Sequence, residues 1–377
     1  MKRLIAVTLC ALALNTAFQA SARNTSVPAA DSRITWVGRT STKADGAVSF
    51  DWSATYARIS FEGSELAIKA SDTHRNYYNV WIDKPMAAEP DKVIAVEGKE
   101  KAITLADKGD FKKMYGRKSP DTHTVIIQKR TEGDQGRTTV KEFITDGELT
   151  QAEGLKERMI EFTGDSYTCG YGSENSVSAD PYRPEDQNSS KTYAAIIARY
   201  FDCDFVTVCH SGQGVVRNYD DVLKGTNMTI RYSQTFDEDN ASSWSAGASA
   251  FSPALTVIYL GTNDFSTGKQ PSKGLFIRTY IELMRKVKAN YGEAHPILCV
   301  ASKCDEELFD YVREAVAACG LTGVSYSGFF NGVHYDNDSE LGASWHPNYK
   351  AHKKLAYALI PYISTLTGWE LQDKAIN

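Results

Sequence analysis

The chain has 377 residues, of which 42% are hydrophobic and 24% are charged, and its formal net charge at pH 7 is −5. This length allows a large buried core and favours two domains. The charge is not gathered into a basic block, so the sequence gives no electrostatic basis for binding nucleic acid or a membrane surface. We therefore predict no nucleic-acid partner, no membrane insertion and no obligate protein partner.

Residues 1–22 have a different composition from the remainder of the chain. Lys2 and Arg3 precede an apolar run from Leu4 to Leu14, and the small residues Ala20–Ala22 follow. This order is typical of a secretory signal peptide, and the apolar run is too short to span a bilayer. We expect a secreted or periplasmic protein, and the sequence does not distinguish the two locations.

Cysteine usage is compatible with export but does not require disulfides. Six cysteines follow the predicted signal peptide: Cys169, Cys203, Cys209, Cys299, Cys304 and Cys319. A chain of this length does not depend on disulfides, and several of these residues lie in apolar runs typical of buried thiols. Neither a CxxC pair nor an HExxH segment is present. We therefore predict no metal site and no organic cofactor.

The stretch 33–150 has the pattern of an all-β domain. About eight short segments, rich in β-branched and aromatic residues, are separated by turn residues, and no helix is predicted between them. The predicted strands are Ala47–Trp52, Arg58–Phe61, Leu66–Ala70, Asn79–Asp83, Lys92–Val96, Ala102–Leu105, His123–Lys129 and Thr139–Phe143. The pattern favours a β-sandwich or jelly roll.

From residue 155 to residue 377, predicted strands alternate with predicted helices. The strands are Met159–Thr163, Phe205–Cys209, Ala254–Leu260 and Ile297–Val300, and the helices are Thr192–Tyr200, Phe276–Tyr291, Glu306–Ala318 and Asn348–Leu366. This alternation is typical of an α/β domain with three layers, in which a parallel sheet lies between helices and ligands bind beyond the carboxyl ends of the strands. The acidic, then Ser/Ala-rich stretch Asp237–Ala250 is predicted to be a surface excursion.

The first loop that follows a predicted strand in this half reads GDSYTCGYG from Gly164. A serine at this position, Ser166, can expose its hydroxyl while neighbouring backbone N–H groups point at one spot. Acyl transfer needs both a nucleophile and donors for the oxyanion. The tripeptide GDS alone is a weak signal.

Three further segments complete a possible catalytic set. SGQGVVRNY and GTNDFS each follow a predicted strand, and they offer a glycine N–H and the side-chain amide of Asn263 as donors. WHPNYKAH precedes the last helix and contains His346. Taken singly, these segments are explained as a turn, a helix cap and a core histidine, but their order and positions together indicate an active site.

These four blocks resemble those of the SGNH (GDSL-type) hydrolase superfamily. The two-domain layout is more closely similar to carbohydrate esterase family 2, in which a jelly roll precedes an SGNH domain. The resemblance covers essentially the whole mature chain. It implies that Ser166 is the nucleophile and His346 the general base, with Ser166, Gly214 and Asn263 forming the oxyanion hole.

The chain departs from the superfamily pattern beside the histidine. SGNH enzymes usually carry an aspartate two or three residues before it, but Ser344 and Ala343 stand there. A backbone carbonyl, Asp336 or Asp338 remain as candidates to orient the imidazole, and we favour a Ser–His dyad. Trp345 is a candidate for stacking on a sugar ring.

Three other histidines lie near these blocks: His210, His334 and His352. Each is more simply a structural or surface residue than a catalytic one.

The resemblance implies a serine esterase that removes O-acetyl groups from plant-type carbohydrate, so its predicted partner is an acetylated carbohydrate. An SGNH lipase or thioesterase is one alternative, although no long apolar lid is visible in the sequence. A catalytically weak carbohydrate-binding protein is another, for which the missing aspartate would be the argument.

Overall fold

The computed structural model describes residues 24–220, 226–267, 269–301, 306–327 and 338–376. The predicted signal peptide, Cys304, His334 and Asp336 lie outside these ranges. Two sheets of antiparallel strands occupy the N-terminal part of the chain, and a parallel sheet with helices follows. The predicted fold class is therefore confirmed.

The N-terminal domain is a sandwich of two six-stranded sheets. Its strands are β1 (Thr25–Pro28), β2 (Thr35–Val37), β3 (Ser41–Thr42), β4 (Val48–Phe50), β5 (Tyr56–Glu62), β6 (Leu66–Asp72), β7 (Arg75–Ile82), β8 (Lys92–Glu97), β9 (Lys101–Ala106), β10 (Thr122–Lys129), β11 (Thr138–Thr145) and β12 (Glu148–Thr150). One sheet has the order β3-β4-β11-β6-β9 with β1 beside β11, and the other has the order β12-β5-β10-β7-β8 with β2 beside β5. Side chains from both sheets form one hydrophobic core between them. Strand β6 shows why the sequence folds this way: every second residue is buried, as expected for a strand with one face against a core.

The prediction that this half contains no helix is wrong. Helix α1 (Lys108–Tyr115) follows β9. Asp107 caps its first turn by accepting the N–H groups of Gly109 and Asp110, and Asp110 bonds back to the Asp107 N–H. The helix has one buried apolar residue, Phe111, so its hydrophobic pattern is too weak to predict a helix. The sequence feature that indicates it is the capping pair Asp107 and Asp110.

The C-terminal domain contains a five-stranded parallel sheet with the order β14-β13-β15-β16-β17. Its strands are β13 (Met159–Gly164), β14 (Asp204–Cys209), β15 (Leu255–Tyr259), β16 (Ile297–Val300) and β17 (Val324–Tyr326). The helices are α2 (Ser166–Cys169), α3 (Tyr193–Phe201), α4 (Met228–Arg231), α5 (Lys273–Tyr291), α6 (Glu306–Ala318) and α7 (Tyr349–Thr367). Helix α3 packs against α7 and α5 packs against α6. A two-residue pairing, β18 (Leu341–Gly342) with β19 (His346–Pro347), precedes α7.

The two domains share buried side chains. The hydrophobic core of the C-terminal domain includes four N-terminal residues: Val37, Trp52, Ala54 and Tyr56. Arg39 is 1% exposed and reaches Glu161 of β13 at 3.4 Å. Arg58 and Tyr56 both donate to the fully buried carboxylate of Asp204 in β14. Each of these buried charges on one domain has its opposite charge on the other domain. Separating the domains would therefore leave charges without a partner.

The stretch Asp237–Ala250 is part of this junction, and the prediction of a surface excursion is wrong at its N-terminal end. Asp237 is fully buried and its N–H donates to Asp51 of the N-terminal domain at 2.8 Å. The ring of Trp244 lies 3.8 Å from the Arg39 guanidinium carbon. Local composition did not reveal these contacts because their partners are almost 200 residues away in sequence.

The five cysteines that the structure describes are buried free thiols, as expected. Within the described ranges, none of the helices combines the length and apolar character that crossing a membrane requires.

The pairing of Arg58 with Asp204 generates a stability prediction. Arg58→Met should lower the free energy of unfolding by about 3 kcal/mol, because it leaves a buried carboxylate without its cation. Urea or thermal unfolding would measure the change. The control is Arg75→Met, which breaks the exposed pair with Glu97 and should cost less than about 1 kcal/mol. Equal effects of the two substitutions would contradict the role given to Asp204.

Candidate active site

Ser166 lies at the junction between β13 and the short helix α2. Asp165 caps this helix by accepting the N–H of Tyr167 at 3.1 Å, and burial raises the pKa of Asp165 to about 7. A side chain at Gly164 would lie 1.9 Å from Thr168 Oγ1, so only glycine allows the strand to turn this tightly. The backbone N–H of Ser166 has no acceptor among the described residues. The turn therefore presents a hydroxyl and a free donor on the same residue.

His346 contacts Ser166 directly. Its Nε2 lies 2.9 Å from Ser166 Oγ, and its Nδ1 lies 2.9 Å from the backbone oxygen of Ser344. A carbonyl oxygen only accepts, so the Nδ1–H donates to Ser344 and Nε2 is left unprotonated to accept from the serine. The backbone carbonyl stands where the missing aspartate would. Asp338, the other candidate in the described residues, is exposed.

The carbonyl of Ser344 is aimed by an unusual backbone conformation. Ser344 and Trp345 have φ values of +53° and +58°, in the left-handed region that non-glycine residues rarely adopt. Two hydrogen bonds hold them there, from Ser344 N to Asp180 O at 2.8 Å and from Trp345 N to Ser178 O at 3.0 Å. Strain of this kind persists only where surrounding contacts fix it, and it is common at functional sites.

Aromatic side chains hold the imidazole in place. The ring of Tyr171 lies 4.2 Å from that of His346 and stacks on Tyr182 at 4.0 Å. The ring of Tyr167 meets the imidazole edge-on at 5.8 Å. Sequence reasoning did not assign these tyrosines, although Tyr167 and Tyr171 stand in the serine block itself.

Asn263 joins the serine loop to the loop that follows β14. Its Nδ2 donates to Gln213 O at 2.9 Å and lies 3.3 Å from Asp165 Oδ2. The next residue, Asp264, accepts the N–H groups of Val215, Val216 and Arg217 at 2.8–2.9 Å. Burial raises the pKa of Asp264 to about 6, although these donors act in the opposite direction. The GTND segment thus fixes the shape of the glycine loop as well as supplying an amide.

The N–H of Gly214, which was predicted for the oxyanion hole, already has an acceptor in the structure. Its N–H donates to Asn218 Oδ1 at 3.3 Å, and a Cβ on it would lie 2.0 Å from Arg217 O, so this glycine serves close packing within the loop. Gly212 has φ +75°, a Cβ placed on it would meet Tyr219 Cβ at 3.8 Å, and its N–H has no acceptor in the part of the chain that the structure describes. Sequence alone did not distinguish the two glycines of SGQG, because the distinction depends on the partner Asn218.

Two exposed aromatic side chains adjoin these groups. Trp345, which precedes His346, is 63% exposed. Tyr219 is 58% exposed, and its N–H donates to Gly212 O at 2.7 Å. Sequence reasoning singled out Trp345 and missed Tyr219, which is the last residue of the SGQGVVRNY block.

The other histidines have structural surroundings. His352 is fully buried in α7, and burial lowers its pKa to about 3. His210 lies 2.7 Å from Asp237 and 3.4 Å from Glu238. Burial opposes the charge on His210, but Asp237 outweighs it and raises the pKa to about 9.

The group of His210, Asp237 and Glu238 has metal-ligand residue types close together. Arg231 donates to both carboxylates at 2.9 Å. A protonated imidazole cannot bind a metal, and the guanidinium already balances the carboxylates. The donor set therefore fits an ion-pair cluster better than a metal centre.

Comparison with known proteins agrees with this geometry. Residues 162–354 match the GDSL-like Lipase/Acylhydrolase family, and residues 36–152 match Carbohydrate esterase 2 N-terminal. The chain belongs to the GDSL-like lipase/acylhydrolase family. The resemblance inferred from the four sequence blocks is confirmed, and so is the prediction of an ester hydrolase.

Individual relatives narrow the comparison. The chain is 30% identical over 324 residues to the cellulase/esterase CelE of Acetivibrio thermocellus, a match that covers 84% of this chain and 38% of CelE. It is 24% identical to an acetylxylan esterase / glucomannan deacetylase of Cellvibrio japonicus, with 91% of each chain covered. A family two carbohydrate esterase from Clostridium thermocellum, solved in complex with cellohexaose, has a TM-score of 0.77 at 27% identity and covers 89% of this chain and 100% of its own.

Proposed function

We propose that this chain is a secreted serine esterase that removes O-acetyl groups from plant-type polysaccharide or oligosaccharide. The observation that carries the proposal is the chain of contacts from Ser166 Oγ through the His346 imidazole to the Ser344 carbonyl, each 2.9 Å long. A hydroxyl, a base in the required tautomer and a group that holds the base are the parts that acyl transfer needs. The acetylated substrate is supported by the relatives that are acetylxylan esterases / glucomannan deacetylases.

The reaction proceeds in two steps. His346 Nε2 takes the proton of Ser166 as Oγ attacks the acetyl carbonyl, and the tetrahedral intermediate expels the sugar oxygen, which receives that proton. Water, deprotonated by Nε2, then attacks the acetyl-serine and releases acetate and the free serine. The charge that moves onto His346 is stabilised by the Ser344 carbonyl, a neutral acceptor.

The oxyanion donors in this proposal are the N–H of Ser166, the N–H of Gly212 and the Asn263 amide. The first two lack an acceptor among the described residues. Asn263 Nδ2 donates to Gln213 O at 2.9 Å and to Asp165 Oδ2 at 3.3 Å, so in this proposal the amide gives up the longer bond when it donates to the oxyanion. Removal of one such donor typically costs about two to three orders of magnitude in rate.

Ser166→Ala tests the nucleophile. The variant should remain folded and lose at least about four orders of magnitude in activity, measured as acetate release from acetylated xylan and as hydrolysis of p-nitrophenyl acetate. Ser327→Ala is the control, because this buried serine follows β17, three strands from β13. A folded Ser166→Ala protein that retains several per cent of the parental activity would exclude the assignment.

Asp338→Asn and Asp336→Asn test the dyad. Because the Ser344 carbonyl accepts from His346 Nδ1, each substitution should leave kcat within a few-fold of the parent. A fall of about four orders of magnitude, the scale seen when a triad aspartate becomes asparagine, would show that a remote carboxylate completes a triad.

Trp345→Ala tests the substrate class. An exposed indole beside the base stacks on a sugar ring but has no ring to stack on in ethyl acetate. KM for an acetylated oligosaccharide should rise about 2- to 10-fold, while kcat/KM for ethyl acetate, measured as acetate release, changes little. Tyr357→Ala, which removes a 70% exposed ring on α7, should alter neither. Equal losses on both substrates would argue that Trp345 holds His346 and does not bind sugar.

A further inference from the structure

The segment between β10 and β11 crosses from the N-terminal domain to the loops of the active site. Glu132 in this segment is 1% exposed. One carboxylate oxygen accepts the Ser211 hydroxyl at 2.6 Å, and the other accepts the Ser211 N–H at 2.6 Å. Gln187 Nε2 donates to the same carboxylate at 3.1 Å and lies 3.3 Å from Cys169 O, at the end of α2.

Glu132 is itself held firmly. The ammonium of Lys129, which has no exposed surface, donates to the backbone oxygens of Thr131 and Glu132 at 2.7 and 2.8 Å. Arg130 donates to Gln187 O at 3.2 Å and pairs with Glu174 at 3.1 Å. The position of the Glu132 carboxylate is therefore well fixed, because hydrogen bonds hold the backbone of Glu132 and the residues around it.

Ser211 directly precedes Gly212, so its position determines where the Gly212 N–H points. The other end of Gly212 is fixed by the bond from Tyr219 N to its carbonyl oxygen. Gly212 has no Cβ and a φ of +75°, and a glycine has wide backbone freedom. Without contacts on both sides, the N–H of Gly212 would not keep one direction.

We propose that Glu132 of the N-terminal domain is a positioning residue for the esterase reaction, holding Ser211 so that the Gly212 N–H faces the oxyanion. This inference rests on the proposed function. It makes the N-terminal domain a component of the active site, because a catalytic donor on one domain is aimed by a carboxylate on the other. A displacement of about 1 Å at such a donor is enough to cost about 100-fold in rate.

The test compares Glu132→Gln with the parent on p-nitrophenyl acetate. The amide keeps the size of the side chain but replaces one acceptor with an NH₂ group that cannot accept from Ser211. We expect kcat to fall about 10- to 100-fold, below the cost of losing a whole oxyanion donor, with KM within about threefold. Asp134→Asn removes a negative charge two residues away at an exposed position and should leave kcat and KM unchanged.

A second readout separates positioning from general loss of structure. Methylboronic acid forms a tetrahedral anionic adduct with a serine hydroxyl and so depends on the oxyanion donors. Its inhibition constant should rise by about the same factor as kcat falls in Glu132→Gln, while the melting temperature of each variant records structural damage. Unchanged boronate inhibition together with reduced kcat would overturn the proposal.

Ser211→Ala keeps the test decisive if Glu132→Gln fails to fold. It removes the hydroxyl bond and leaves the Ser211 N–H bond, so kcat and boronate affinity should both fall about 3- to 30-fold. If Glu132→Gln does fold, the losses of kcat in the double variant should not multiply, because both substitutions break the same contact. Parental kcat in folded Ser211→Ala, or fully multiplicative losses, would overturn the inference. Boronate inhibition that persists in Ser166→Ala would instead count against the proposed function.

Discussion

The hydrogen bond from His346 Nδ1 to the Ser344 carbonyl is the contact on which the arrangement of the site depends. It selects the tautomer in which Nε2 accepts from Ser166, and it does so without a carboxylate. A neutral carbonyl stabilises a developing imidazolium less than a charged aspartate would, so the bond must be well aimed. The left-handed backbone at Ser344 and Trp345 directs the carbonyl at the imidazole. Hydrogen bonds to Ser178 O and Asp180 O hold this strained conformation in place.

That loop is in turn held by the N-terminal domain. Arg130 pairs with Glu174, and Tyr77 donates to Glu185, both in the stretch between α2 and α3. The His346 imidazole is thus oriented through a series of contacts that begins in the sandwich. The geometry of the site therefore depends on both domains, whose junction contains buried charges as well as apolar side chains.

Sequence reasoning succeeded where the signal is local. Helix α6 was predicted with its observed bounds, because its apolar residues repeat with helical spacing, and the GDS turn was recognised from adjacent residues. It failed where a distant partner decides. Helix α1 was missed because it depends on capping. Asp237 was placed at the surface although it is fully buried and bonded to Asp51, and the bond from Gly214 N to Asn218 was not foreseen. No spacing rule would have identified Glu132, which meets Ser211 across 79 residues of chain.

Burial of charge at a domain junction is rarely the most stable solution, since apolar residues of the same volume usually cost less. What ion pairs and buried carboxylates supply is direction: each lone pair accepts from a limited range of angles, so the two surfaces meet in one register. The carboxylates of Asp204, Glu161 and Glu132 each accept from a donor on the opposite domain, so together these three contacts restrict how the two surfaces lie against each other, and the third of them holds Ser211.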